Sequence, residues 1–168
     1  NVPNDPMSVL TNNKTPSENP FYRFVLEEMC GGITHKQFQN LITKTVNPMD
    51  YIENNNVKYN EVASWLNDKG FEKESDRAMV MYHKLNQGKN IMRRSVTIPK
   101  NIIGAFVGHL PFELTHPDLD RYLTIRECLT IMGLPDDFTL QGGRKNLNHI
   151  CQNVPVTTAS DMAAQVLR

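Results

Sequence analysis

Helix breakers fall at short intervals along this chain and leave no room for a long element. Gly31-Gly32, Asn47-Pro48, Gly70, Gly88, Pro99 and the Gly133-x-Pro135 pair interrupt apolar residues that recur at helical spacing. The spacing predicts helices over 21–29, with Pro20 at the first turn, and over 34–46, ended by Asn47-Pro48. Asn60 is placed to cap a helix carrying Val62, Trp65 and Leu66, and Ser75 to cap one carrying Ala78, Met79, Tyr82 and Leu85. Residues 95–98 and 102–108 are short β-branched or apolar runs separated by Pro99, and they read as a strand pair or irregular β segment. Thr124 and Glu127 form a capping box ahead of Leu129, Ile131 and Met132, with Gly133 as the stop, and a last helix is predicted over 158–167. The fold class expected is α+β, mostly helical with a short β segment.

A chain of 168 residues suits one domain, or one with an appendage, and excludes a large multidomain enzyme. There is no apolar run of the roughly 18 residues that a membrane span needs and no basic-then-apolar leader, so a soluble cytoplasmic protein with no membrane partner is the expectation. Cys30, Cys128 and Cys151 are odd in number and widely spaced, which fits a reducing compartment better than a disulfide framework or metal site. Residues 1–20 carry four prolines among Asn, Ser and Thr and read as an extended linker or arm. The first residue is Asn1 and not Met, which suggests a fragment, a processed product or part of a longer polypeptide.

The 18 basic and 18 acidic side chains cancel, so bulk charge makes no case for nucleic acid. Their distribution does. No carboxylate occurs between Asp76 and Glu113, while Arg77, Lys84, Lys89, Arg93, Arg94 and Lys100 all fall there. Such a segment offers phosphate neutralisation, with Lys84, Lys89, Arg93, Arg94 and Lys100 as candidate DNA contacts; the alternative is a solvated cationic face.

Three ordered pieces lie near the C-terminus: His116-Pro117, then Arg121-x-Leu123-Thr124-x-Arg126-Glu127 continuing as Met132-Gly133-Leu134-Pro135-Asp136-Asp137-Phe138, and finally Cys151-Gln152-Asn153-Val154-Pro155. Together they resemble the C-terminal motifs of DNA cytosine-5 methyltransferases, the second matching the family's ninth motif and the last its tenth, usually Gly-Asn-Ala-Val-Pro. The departure is Cys151 for the glycine and Gln152 for the asparagine. Beyond the linker or arm over 1–20, the resemblance implies a target-recognition region over 21–115 and motif-bearing helices over 116–168 that pack on a separate α/β catalytic domain. It implies duplex DNA as substrate, S-adenosylmethionine as cofactor met by Gln152 and Asn153, and organising roles for Arg121, Thr124, Arg126 and Glu127.

The chemistry of that family needs a cysteine nucleophile following proline and a glutamate in a Glu-Asn-Val motif. Cys30 follows Met29, Cys128 follows Glu127, and Cys151 follows Ile150. No Gly-rich cofactor loop followed by a helical pattern is present either; 104–108 has glycines without the helix. The resemblance therefore implies no catalytic residue here and a catalytic part or subunit elsewhere, with a non-catalytic DNA- or protein-binding remnant of the anti-restriction, phage-decoy type as the alternative.

Each side chain also has a plain structural reading. Arg121 and Arg126 are candidates for pairing with Asp118, Asp120 or Glu127, and Glu127 reads as a cap and not an acid catalyst. His109 and His116 lack a third ligand at metal spacing. Cys128 reads as a small buried hydrophobe, and 141–144 as a turn whose arginine is able to approach DNA.

Overall fold

The computed structural model describes residues 5–93, 96–103, 110–152 and 155–166. Short helices dominate and strand is limited to isolated pairings, in keeping with a mostly helical α+β chain. The described residues group into two units. One comprises 14–103 and 115–121, and the other 5–13, 110–114 and 122–166. The division cuts across the expected segments 1–20, 21–115 and 116–168, because residues distant in sequence pair within each unit.

In the central unit, α1 (Pro20–Phe24) starts at Asn19, whose side chain accepts the N–H groups of Phe21 and Tyr22, and it runs into a π-helical turn over Val25–Met29. Helix α2 (His35–Leu41) is opened by a capping box between Thr34 and Gln37. It stops five residues before the expected Val46. Ile42 and Val46 are buried in extended chain instead, and Val46 exchanges both backbone hydrogen bonds with Ile98, at 3.1 and 2.8 Å. The expected pairing of 95–98 with 102–108 is thus replaced at Ile98 by a pairing with Val46; residues 95 and 104–108 lie outside the described ones.

Asn47-Pro48, read as a stop, is a start. Asn47 caps α3 (Pro48–Asn54) by accepting the Asp50 N–H at 2.8 Å, with Pro48 at the first helical position, where its missing N–H is no loss. Helix α4 (Tyr59–Asp68) begins one residue before the expected cap, because Tyr59 is buried while Asn60 is exposed. Helix α5 (Glu72–Asn86) likewise starts before Ser75, whose hydroxyl donates to the Ala63 carbonyl of α4 at 2.8 Å. Phe21, Phe38, Met49, Ile52, Val62 and Leu66 fill the core of this unit, with edge-to-face ring pairs such as Tyr22–Phe38 and Phe24–Trp65.

In the other unit residues 7–11 pair with the chain ahead of α6. Leu10 bridges Thr124 antiparallel, Thr11 N–H donates to the Leu123 carbonyl, and Met7 and Thr11 are buried. Helix α6 (Ile125–Ile131) follows Thr124 as expected, and Gly133 at φ 78° closes it. That left-handed residue lets the N–H groups of Gly133 and Leu134 return to the carbonyls of Thr130 and Leu129, at 2.9 and 3.1 Å. Two further helices follow: α7 (Leu147–Cys151), which periodicity did not reveal, and α8 (Val156–Val166), starting two residues before the predicted boundary. Leu114, Leu123, Ile125, Cys128, Leu129 and Leu147 form the core. Among the described residues no helix is long and apolar enough to cross a membrane.

Candidate nucleic-acid interface

Helix α5 buries Ser75, Ala78 and Met81 on one side and turns a narrow cationic stripe outward. At 3.6 residues per turn, Lys73, Arg77 and Lys84 lie within roughly 40° of one another around the axis and span about 16 Å along it. All three are exposed, with Val80 between them at 53% exposure. None forms an ion pair among the described residues. Asp76 and Glu74 stand three residues from Lys73 and Arg77, yet no ion pair joins them among the described residues. The Arg77 guanidinium lies 5.6 Å from the Phe21 ring centroid, which restrains it without neutralising it. Past Gly88 the stripe continues to Lys89, also exposed, whose N–H donates to the Lys84 carbonyl at 2.9 Å.

The expected DNA contacts divide on this geometry. Lys84 and Lys89 are exposed and carry no carboxylate partner among the described residues. Arg93 is committed elsewhere: it holds Glu53 in a two-pronged pair at 2.6 and 2.7 Å, with Asp50 at 3.8 Å. The guanidinium holds the Glu53 carboxyl below its ordinary range, and Glu53 also accepts the Tyr59 hydroxyl at 2.9 Å. The Arg93 charge is thus offset within its own unit by Glu53. Lys100 is turned back onto its own unit, where its Nζ donates to the Gln39 carbonyl at 3.1 Å. Arg94 lies outside the described residues. Lys73 was missed because a carboxylate-free window ignores which face of a helix each charge occupies. Helical periodicity applied to the cations alone would have found it.

The motif residues are divided between the units. Arg121 closes a turn in the central unit, its carbonyl accepting His116 N–H at 2.9 Å, while Thr124, Arg126 and Glu127 lie in the other. Arg126 pairs with Asp5, at 2.8 and 2.9 Å, and its Nη1 donates to the Phe138 carbonyl at 2.6 Å. The Arg126 partner is a carboxylate 121 positions upstream. The hydrogen bonds from Arg126 and the Met7 N–H hold the Asp5 carboxyl at about 2. Glu127 completes the capping box as expected, accepting Thr124 N–H at 2.8 Å.

Cys151 is buried, which pushes its thiol up to about 11, and burial pushes Cys128 up as well. Gln152 ends α7 with its side chain exposed; Asn153 lies outside the described residues. A buried thiol beside one exposed amide does not make a pocket for a charged nucleotide-like cofactor.

The central unit also carries a groove of about 710 Å³ bordered by Ser17, Arg23, Glu27, His35, Asp118 and Asp120. His35 Nε2 donates to the His116 carbonyl at 2.7 Å, which leaves Nδ1 to accept the Tyr22 hydroxyl, also at 2.7 Å. With both nitrogens occupied, this imidazole serves packing and not proton transfer. His116 Nδ1 accepts the N–H groups of Asp118 and Leu119 at 3.1 Å, a turn cap. His109 lies outside the described residues, among which no cluster of three or more metal-ligating side chains occurs.

The family model for C-5 cytosine-specific DNA methylase matches residues 4–168 of the chain. No curated protein and no solved structure matches it.

Proposed function

The chain belongs to the C-5 cytosine-specific DNA methylase family, and from that premise we propose that it is the DNA-recognition part of such an enzyme. It positions duplex DNA for methyl transfer performed by a catalytic part outside this sequence, on the same polypeptide or a partner subunit. The observation that carries the reading is the exposed stripe of Lys73, Arg77, Lys84 and Lys89, whose charges no carboxylate cancels among the described residues. Phosphate contacts of this kind orient a duplex without reading its bases.

The family's methyl donor is S-adenosylmethionine. Gln152 and Asn153, at the place of the family's tenth motif, close one edge of a site whose remainder lies in the catalytic part. Helix α8 supports that division. Ala159, Met162, Ala163 and Val166 recur at helical spacing and are exposed, Met162 and Val166 at 59 and 84%, an apolar face suited to packing against the α/β catalytic part.

The four contacts of the α5 stripe by themselves contribute a salt slope of about −3.6, or roughly 150-fold weaker binding at 200 mM than at 50 mM salt. Fluorescence anisotropy of a labelled duplex titrated with the chain measures this directly. The variant Lys73→Ala/Arg77→Ala/Lys84→Ala should bind more weakly and lose about 2.7 of that slope. Unchanged affinity and slope in this variant would refute the interface, and methyl transfer by the chain alone would refute the division of labour.

A further inference from the structure

We propose that the turn over 141–145, in the unit that does not contain α5, is a second contact for DNA backbone phosphate. The inference rests on the DNA-binding reading above but on different residues. The turn is built rigidly. Gly142 and Gly143 both adopt positive φ, at 76° and 52°, and Gly143 N–H returns to the Leu140 carbonyl at 3.2 Å. Asn146 lies across it, its Nδ2 donating to the Gln141 carbonyl at 2.6 Å. The left-handed backbone angle is what calls for glycine at 142; a Cβ there would meet only the movable end of the Asn146 side chain, at 2.5 Å.

This small scaffold presents two adjacent cations, Arg144 and Lys145, both exposed. The Arg144 guanidinium lies over the Phe112 ring, 5.3 Å from its centroid, and has no hydrogen-bond acceptor or carboxylate among the described residues. An aromatic face restrains a guanidinium while leaving its in-plane N–H groups available, the arrangement suited to two-pronged recognition of a phosphate. The surrounding sequence removes competition, since no carboxylate occurs between Asp137 and Asp161. The remaining described arginine of this unit, Arg126, is neutralised by Asp5. Arg144 and Lys145 are thus the unit's uncancelled basic side chains among the described residues. They supply an anchor separate from the α5 stripe.

The test uses the full chain, a labelled duplex and anisotropy across a salt series, with Arg144→Ala/Lys145→Ala measured beside Lys73→Ala/Arg77→Ala/Lys84→Ala. The Arg144/Lys145 variant should bind several-fold more weakly and lose about 1.8 of the salt slope. Phe112→Leu keeps both charges, so it should weaken binding by a smaller factor and leave the slope unchanged. Unaltered hydrogen exchange over α6 and α7 verifies that the variants fold. If Arg144→Ala/Lys145→Ala binds like the unsubstituted chain while the α5 variant weakens, the second contact is refuted and the recognition role stands. A loss on Arg144/Lys145 substitution with none from α5 upholds the second contact and refutes the α5 interface. If neither variant changes binding, both are refuted.

Discussion

Thr124→Ala removes a hydroxyl and a methyl group from the start of α6, and the structure says what the hydroxyl oxygen does. Four N–H groups at a helix start have no intrahelical acceptor. Here each is assigned. Thr124 Oγ1 accepts Glu127 N–H at 3.1 Å, and Glu127 Oε2 accepts Thr124 N–H at 2.8 Å. The N–H groups of Ile125 and Arg126 go to the carbonyls of Val9 and Met7, at 2.9 and 2.8 Å. Loss of the Thr124 hydroxyl removes the acceptor of the Glu127 N–H. Loss of an N-cap costs about 1 kcal/mol, with a range of roughly 0.5–2, and the half-buried setting of Thr124 favours the upper half, about 1.5 kcal/mol. For a chain of this size that corresponds to a fall in Tm of about 3–6 °C. Circular dichroism melts read the global effect, and hydrogen exchange over 122–132 reads the local one, where amides of α6 should exchange about tenfold faster. Thr124→Ser restores the oxygen and should stay within about 0.5 kcal/mol of the original chain. If Thr124→Ala matches the unsubstituted chain in both measurements, or if the serine variant is damaged equally, the assignment of these donors is wrong.

The Asp5–Arg126 pair has a pH signature. The Asp5 carboxyl titrates at about 2 when folded, against 3.8 ordinarily, so the fold favours its ionised form. Its contribution is therefore full above the ordinary value and is lost as pH falls from about 4 towards 2. Urea midpoints measured across that range should decline less steeply for Asp5→Asn than for the original chain; identical slopes would show that the pair does not anchor the N-terminal residues. The thiols form a second set. Cys128 and Cys151 are buried and their thiols raised, whereas Cys30 is partly exposed, 3.8 Å from the Tyr51 hydroxyl. A thiol reagent at pH 8 should modify Cys30 first and reach the other two only on unfolding, as peptide mass mapping would reveal; early labelling of Cys151 would contradict its burial.

Where a feature depends on residues three or four apart, it was legible in the chain itself. The Thr124–Glu127 box and the Gly133 stop bound α6 through bonds that close within one or two helical turns. Asn47-Pro48 shows the limit of that reasoning. The same dipeptide ends one helix or begins another, and the burial of Ile42 and Val46 in extended chain decides between them. Starts at Tyr59 and Glu72 were misplaced for a similar reason, since packing of Tyr59 and the Ser75–Ala63 bond outweighed local capping preference.

The candidate interface divides in the same way. Composition along the chain pointed to a carboxylate-free stretch, and α5 does carry Lys84 with Lys89 just beyond it. It also led to Arg93, because nothing in a linear count foretells that Glu53, 40 positions away, will cancel its charge. The sequence by itself determined the family motif, the short helices and their main stops, because those rest on local hydrogen bonds and periodicity. Only the tertiary structure decided which charges remain uncancelled. Ion pairs such as Asp5–Arg126 and Glu53–Arg93 join residues far apart in the chain, and packing of the intervening segments selects each partner.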